Sequence, residues 1–162
     1  MTAATREELE QIGTLIKGSK IAILTTENEE GRLVSRPLAT VGAEFDGTVW
    51  FFTPDDSEKV SEIRRNREVN VSYESGKGWL SLSGTAELVH DRAKIDEYWT
   101  KEVEAWFDQG KDDPTVALLK VTAHSAEYWA SVDPKPVVLL KYAKAIATGG
   151  HPDIGENRVV DL

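Results

Sequence analysis

The chain has 162 residues, 40% of them hydrophobic and 29% charged, with a formal net charge of −9 and no cysteine. That size suits one globular domain, and the negative balance disfavours nucleic acid and anionic membrane surfaces, both of which need a basic stripe. Without cysteine there is no disulfide, no thiolate metal site and no cysteine nucleophile.

Thr5 and Glu8 have capping-box spacing, and Leu9, Ile12, Leu15 and Ile16 follow a helical period, which predicts a helix over 5–17 with one buried face. No apolar core of signal-peptide length precedes it and no run approaches a membrane span, so a cytoplasmic protein is expected. Two β-rich runs then flank the polar turn Asn28-Glu29-Glu30-Gly31, a hairpin signal. Pro37 in the second run lacks a ladder donor, which places it at an edge, at a bulge or where the sheet opens. Asp46-Gly47 is a turn signal, and Thr48 to Thr53 reads as a third strand. Residues 57–66 read as a short helix. Val69 to Ser75 and Trp79 to Val89 form a second hairpin, with Ser81 and Ser83 alternating against Leu80 and Leu82.

Asp91 is an N-cap candidate for a long helix whose stripe is Ile95, Tyr98, Trp99, Val103, Trp106 and Phe107, failing near Gly110 and stopped by Pro114. Val116 to Ala130 returns to strand composition, and Val137 to Ala145 is expected as the last strand. The Gly- and Pro-bearing end from Gly149 reads as a loose tail, or as an arm that orders on another surface. About six antiparallel strands with peripheral helices give a small mainly-β barrel, with a domain over 1–146 and a tail over 147–162.

His90, His124 and His151 have no partners at metal-ligand spacing, and no HExxH, EF-hand loop or GxSxG elbow is present, so no metal is expected and no catalytic residue is assigned. Any chemistry then falls to a cofactor. The segment WFFTPDDSEK (50–59) runs from a strand into a helix start with Thr53, Ser57 and Lys59 close together. Two readings fit. Ser57 simply caps a helix, or the hydroxyls, the ammonium and the helix N-terminus surround a phosphate, with Asp55 and Asp56 turned outward. Arg36 has the same two sides: a salt bridge to one of 28 acidic residues, or a donor to a phosphate or polar ring edge.

The order SRPL (35–38), WFFT (50–53), S-x-K (57–59) and SLSG (81–84) resembles the flavin-binding split barrels of the pyridoxamine 5'-phosphate oxidase superfamily, and AEYWAS (126–131) points to its general stress protein branch. The resemblance covers roughly residues 5–135 and implies a homodimer with flavin mononucleotide (FMN) at the subunit interface and an oxidoreductase of unknown substrate. A flavin-binding or redox-sensing stress protein without turnover is the alternative. By resemblance Arg36 contacts the flavin; Pro37, Leu38 and Ala39 approach its ring edge; and Phe52, Thr53, Ser57 and Lys59 form the aromatic-Thr pair and the phosphate motif. Glu58 departs from that motif, which usually carries a basic residue there. Trp79 falls where the oxidases usually carry a glutamine near the flavin, and Trp129 either contacts the flavin or packs the core. The oxidases end in an Arg-x-His motif that holds pyridoxal phosphate; this chain ends IGENRVVDL, so pyridoxamine phosphate oxidation is not expected.

Overall fold

In the computed structural model, which describes residues 3–130, 135–153 and 155–162, the capping box forms as predicted. The Thr5 side chain accepts from the Glu8 amide, and the Glu8 carboxylate accepts from the Thr5 amide, at the start of α1 (Arg6–Lys17). Ile12, Leu15 and Ile16 are the buried stripe of that helix. They enter the main core with Leu24, Phe51 and Val71.

The strands are β1 (Ile21–Glu27), β2 (Leu33–Ala39), β3 (Thr48–Pro54), β4 (Glu68–Ser75), β5 (Gly78–Val89), β6 (Val116–Ala130) and β7 (Glu156–Asp161). All named pairings are antiparallel and the order is β2-β1-β4-β5-β6-β3, with β7 joined to β6. The six-stranded path is a split β-barrel. Its ends, β2 and β3, are not hydrogen-bonded to each other. Pro37, paired with Ile23, therefore sits on an edge strand, where its missing N–H leaves no ladder bond unmade. On β5, Leu80, Leu82 and Ala86 face the core while Ser81 and Ser83 face out, and Asn70 donates to Ser81 at 2.8 Å.

The β5–β6 register shifts between Ser83 and Gly84. A Cβ on Gly84 would stand 2.1 Å from the Thr122 carbonyl oxygen, so only glycine lets the strands close there.

A second core lies outside β3 and β6. Trp50 and Leu118 meet Ile95 of α3 (Arg92–Tyr98), together with Phe107 and Val116. The single long helix expected from Asp91 is broken. Asp91 caps α3 as expected, accepting from Ala93 and Lys94, but Trp99 is extended and Thr100 caps a new turn, α4 (Lys101–Glu104), by accepting from Val103. The break lets the Trp99 ring stand between Phe52, edge-on at 5.5 Å, and Phe107 at 5.8 Å.

Two further expectations meet the C-terminal third. Val137 to Ala145, predicted as a strand, lies inside helix α5 (Lys135–Thr148). The two valines suggest a strand, but the Leu, Lys and Ala residues that follow favour helix, and a short apolar run carries no decisive period. The final strand is β7 instead, in the segment set apart as a tail or arm: β3 pairs with residues 116–122 of β6, and β7 pairs with residues 125–130. Thus β7 fills the length of that β6 edge which β3 leaves open.

Candidate functional site

Where β2 and β3 part, a cleft of about 410 Å³ opens, a size in the range of small-molecule sites. One wall is Arg36, Pro37, Leu38 and Ala39 of β2. The other is Phe52 and Pro54 of β3, with Lys59 of helix α2 (Glu58–Arg65) at its foot and Val103, Trp106 and Phe107 forming the rim. Trp106 is 78% exposed at that rim. The lining is mostly apolar, with two cations set into it and one carboxylate, Glu102, beside Val103.

Strand alternation places the first cation. Arg36 shares the inward-facing side of β2 with Val34 and Leu38, opposite Leu24 of β1. Its Nη2 donates to Glu62 Oε2 at 2.8 Å and its Nη1 donates to Thr26 Oγ1. Thr26 donates in turn to Glu62 at 2.6 Å. Glu62 lies on the buried side of α2 between Val60 and Ile63. Neither Glu62 nor Thr26 figures in the sequence motifs. The readable signal for Glu62 was a carboxylate flanked by two buried apolar positions on a short helix, where a charge survives only if paired.

The second cation belongs to the strand-to-helix turn. Ser57 occupies the N-cap position of α2 but makes no side-chain cap hydrogen bond. Lys59 Nζ donates to Ser57 Oγ at 3.1 Å, Ser57 and Thr53 hydroxyls are 3.2 Å apart, and Thr53 Oγ1 donates to the Pro54 carbonyl at 3.2 Å. Since Thr53 has one proton and gives it to Pro54, Ser57 is the donor in the middle link. The chain of donation runs from the ammonium inward, leaving two N–H groups on Lys59 and the first-turn amides of α2 without a side-chain cap. Asp55 is turned to His90, at 3.1 Å. The Lys59 pKa is lowered, first by burial and then by the Arg36 guanidinium, with Glu62 opposing both. A half-buried ammonium beside a guanidinium is an anion-seeking arrangement inside a chain of net charge −9.

Of the ten residues expected at the site, Arg36, Pro37, Leu38, Ala39, Phe52 and Lys59 line the cleft, and Ser57 and Thr53 join through Lys59. Trp79 and Trp129 do not. They face each other across β5 and β6, with β1 and β4 between β5 and β2, 57% and 40% exposed. With Ile21, Ile23 and Val159 they are exposed apolar side chains on the outer side of the sheet, set among the polar Ser72, Ser81, Ser83 and Glu127. Among the described residues no group of three His, Asp or Glu side chains is placed to hold a metal ion. No helix there is long and apolar enough to cross a membrane.

Solved structures share this architecture. A protein assigned as general stress protein 26 from Jannaschia sp. CCS1 superposes with a TM-score of 0.79 at 26% identity, over 98% of this chain and 100% of that one. The general stress FMN/FAD binding protein of Xanthomonas citri matches with a TM-score of 0.69 at 28% identity, over 80% of this chain and 93% of its own. Protein bli-3 of Neurospora crassa is 26% identical over 168 residues, covering 95% of this chain and 79% of that protein. A split barrel whose parted edges hold an arginine, a lysine and an uncapped helix start is in keeping with the match of residues 7–153 to the model of the "Pyridoxamine 5'-phosphate oxidase like" family, and by that match the chain belongs to the pyridoxamine 5'-phosphate oxidase-like family.

Proposed function

We propose that the protein is an FMN-binding flavoprotein, an oxidoreductase working as a cytoplasmic homodimer. The observation that carries the reading is the pairing of cations with an apolar cleft: Arg36, Lys59 and the uncapped start of α2 open into one space between β2 and β3. The donor set fits a phosphate-bearing planar ligand. Lys59 and the α2 amides match a phosphate dianion, while Phe52, Leu38, Val103 and Phe107 match an aromatic ring. Family membership and the flavin-binding relative from Xanthomonas citri support the choice of flavin.

Bound flavin supplies reversible hydride acceptance at its central ring. The chain does the rest. Lys59 neutralises the phosphate, and Arg36 donates toward the ligand's polar edge. The free edge of β2 at Pro37, Leu38 and Ala39 sets the ligand's depth, and Trp106 and Val103 restrict water at the mouth. Trp79 and Trp129 enter this scheme as subunit contacts. Covering the exposed outer sheet in a dimer would bury Ile21, Ile23, Trp79, Trp129 and Val159, and a closed site with two chains encloses a planar ring better than a surface cleft.

The absorption spectrum of the purified or FMN-reconstituted protein, with the released ligand identified by mass, tests the reading. About one FMN per chain and a flavin band near the visible blue are expected. A chain that takes up no flavin when reconstituted would refute it. Reduction by nicotinamide donors then separates an oxidoreductase from a flavin store or sensor.

A further inference from the structure

We propose that Glu62 is the positioning residue of the cleft, holding the Arg36 guanidinium in the one plane from which its remaining donors meet the flavin. The inference rests on the flavin reading above. Its side chain is only 5% exposed, and carboxylates are almost never buried unless paired. Here one oxygen, Oε2, takes both bonds, from Arg36 Nη2 and from Thr26. Three elements converge on it: α2 brings Glu62, β1 brings Thr26 and the edge strand β2 brings Arg36. Arg36 has five N–H donors in a rigid fork; two are engaged by Thr26 and Glu62, which fixes the plane and leaves three for the cleft that the residue lines.

The same contact divides labour between the two cations. Glu62 neutralises Arg36, so Lys59 is left as the charge partner for a phosphate and Arg36 acts through the direction of its hydrogen bonds. The opposed influences of Arg36 and Glu62 on Lys59 are the electrostatic trace of that arrangement. A simple clamp tying α2 to the sheet would need the pair but would place no demand on its geometry. A positioning device does.

The experiment compares FMN and riboflavin affinities of the full-length protein with those of Glu62→Gln, Glu62→Asp and Lys59→Ala, with the visible absorption band of bound flavin as a second readout. Glu62→Asp keeps the charge but withdraws it by one methylene. It is expected to melt near the wild type yet lose at least tenfold affinity for both flavins, since misplacement by about an ångström is costly at a designed site. The flavin band should shift as Arg36 moves. Glu62→Gln should weaken both flavins as well; should that variant fail to fold, because it strands a half-buried arginine, the aspartate variant alone decides. Lys59→Ala should weaken FMN alone. Wild-type affinity for both flavins and an unshifted band in Glu62→Asp would overturn the positioning role while leaving the flavin reading intact. A wild-type chain that binds neither flavin would overturn that reading and this assignment together.

Discussion

Lys59 Nζ donates to Ser57 Oγ at 3.1 Å, so the serine hydroxyl at the helix start serves the lysine side chain and not the helix amides. Val60 donates to the Ser57 carbonyl, which leaves the Glu58 and Lys59 amides and the two remaining Lys59 donors to meet a phosphate. Lys59→Ala should weaken FMN binding by about 1.5–3 kcal/mol, the range for hydrogen bonds to charged groups. That is roughly a 10- to 150-fold loss by titration, with riboflavin unchanged. Glu58→Lys should act in the opposite sense, tightening FMN only. Equal losses for the two flavins in Lys59→Ala would mean that the lysine supports the fold.

The pH dependence follows from the lowered pKa of Lys59. The charged form is disfavoured in the free protein, so the free protein sheds this proton below the ordinary 10.5. Unfolded chains hold it longer, and stability from this group therefore rises with pH between the lowered value and 10.5. Binding has the reverse sense. A phosphate needs the ammonium, so FMN affinity should fall as pH rises through the lowered value, by up to about tenfold per pH unit. On the acid side it should fall below about pH 6, where the phosphate takes up a proton. Riboflavin, titrated over the same range, should show neither limb.

If the outer sheet is the subunit interface, Trp79→Glu or Ile23→Glu should split the dimer. Buried tryptophans are frequent interface anchors worth about 2 kcal/mol or more, so dimer dissociation should strengthen by at least roughly 30-fold in sedimentation. Flavin uptake at fixed protein concentration should fall with it. A wild-type monomer at micromolar concentration that still holds flavin would contradict the interface placement.

The chain end is built into the sheet: Arg158 lies on β7, paired with Tyr128 of β6 and 3.8 Å from Glu156. Val160 stands two residues after it, where an Arg-x-His motif would carry histidine. Pyridoxamine phosphate oxidation should therefore run well below about 1 per second, the low end of ordinary enzyme turnover. A peroxide-release assay on the FMN-loaded protein measures it directly.

Gly84→Ala tests the β5–β6 seam. The added methyl would meet a backbone oxygen at 2.1 Å that cannot rotate away, so strand separation is the only relief. A loss of about 2–3 kcal/mol is expected, the upper part of the overpacking range. For a chain of this size that is a fall of roughly 5–10 °C in melting temperature.

The sequence made local decisions readable where local chemistry made them. The Thr5–Glu8 box, the Asn28–Gly31 turn and the alternation around Ser81 and Ser83 carry their own bonds, and each element formed where predicted. Elements decided by neighbours were not readable. Glu156–Asp161 is polar and short, and becomes a strand because an open edge of β6 is waiting for it. Trp99 leaves the helix because Phe52 and Phe107 provide an aromatic slot. At the site, Arg36 and Lys59 stood out as cations beside strand and helix ends. Glu62 did not, because its burial depends on α2 lying against β1 and β5.

β6 also sets the timetable of folding. It pairs with β5, β3 and β7, and two of those, β3 and β5, leave the ribosome before it does. At about 5–20 residues per second, the stretch from Thr48 to Ala130 takes several seconds to synthesise. Throughout that interval β3 has no partner strand and β5 has only β4, so the nascent chain carries open edges rich in Trp and Phe. Expression at high rate or elevated temperature therefore exposes this protein to edge-to-edge association before its sheet is complete, and a chain stopped before Val116 lacks the strand that joins β5 to β3.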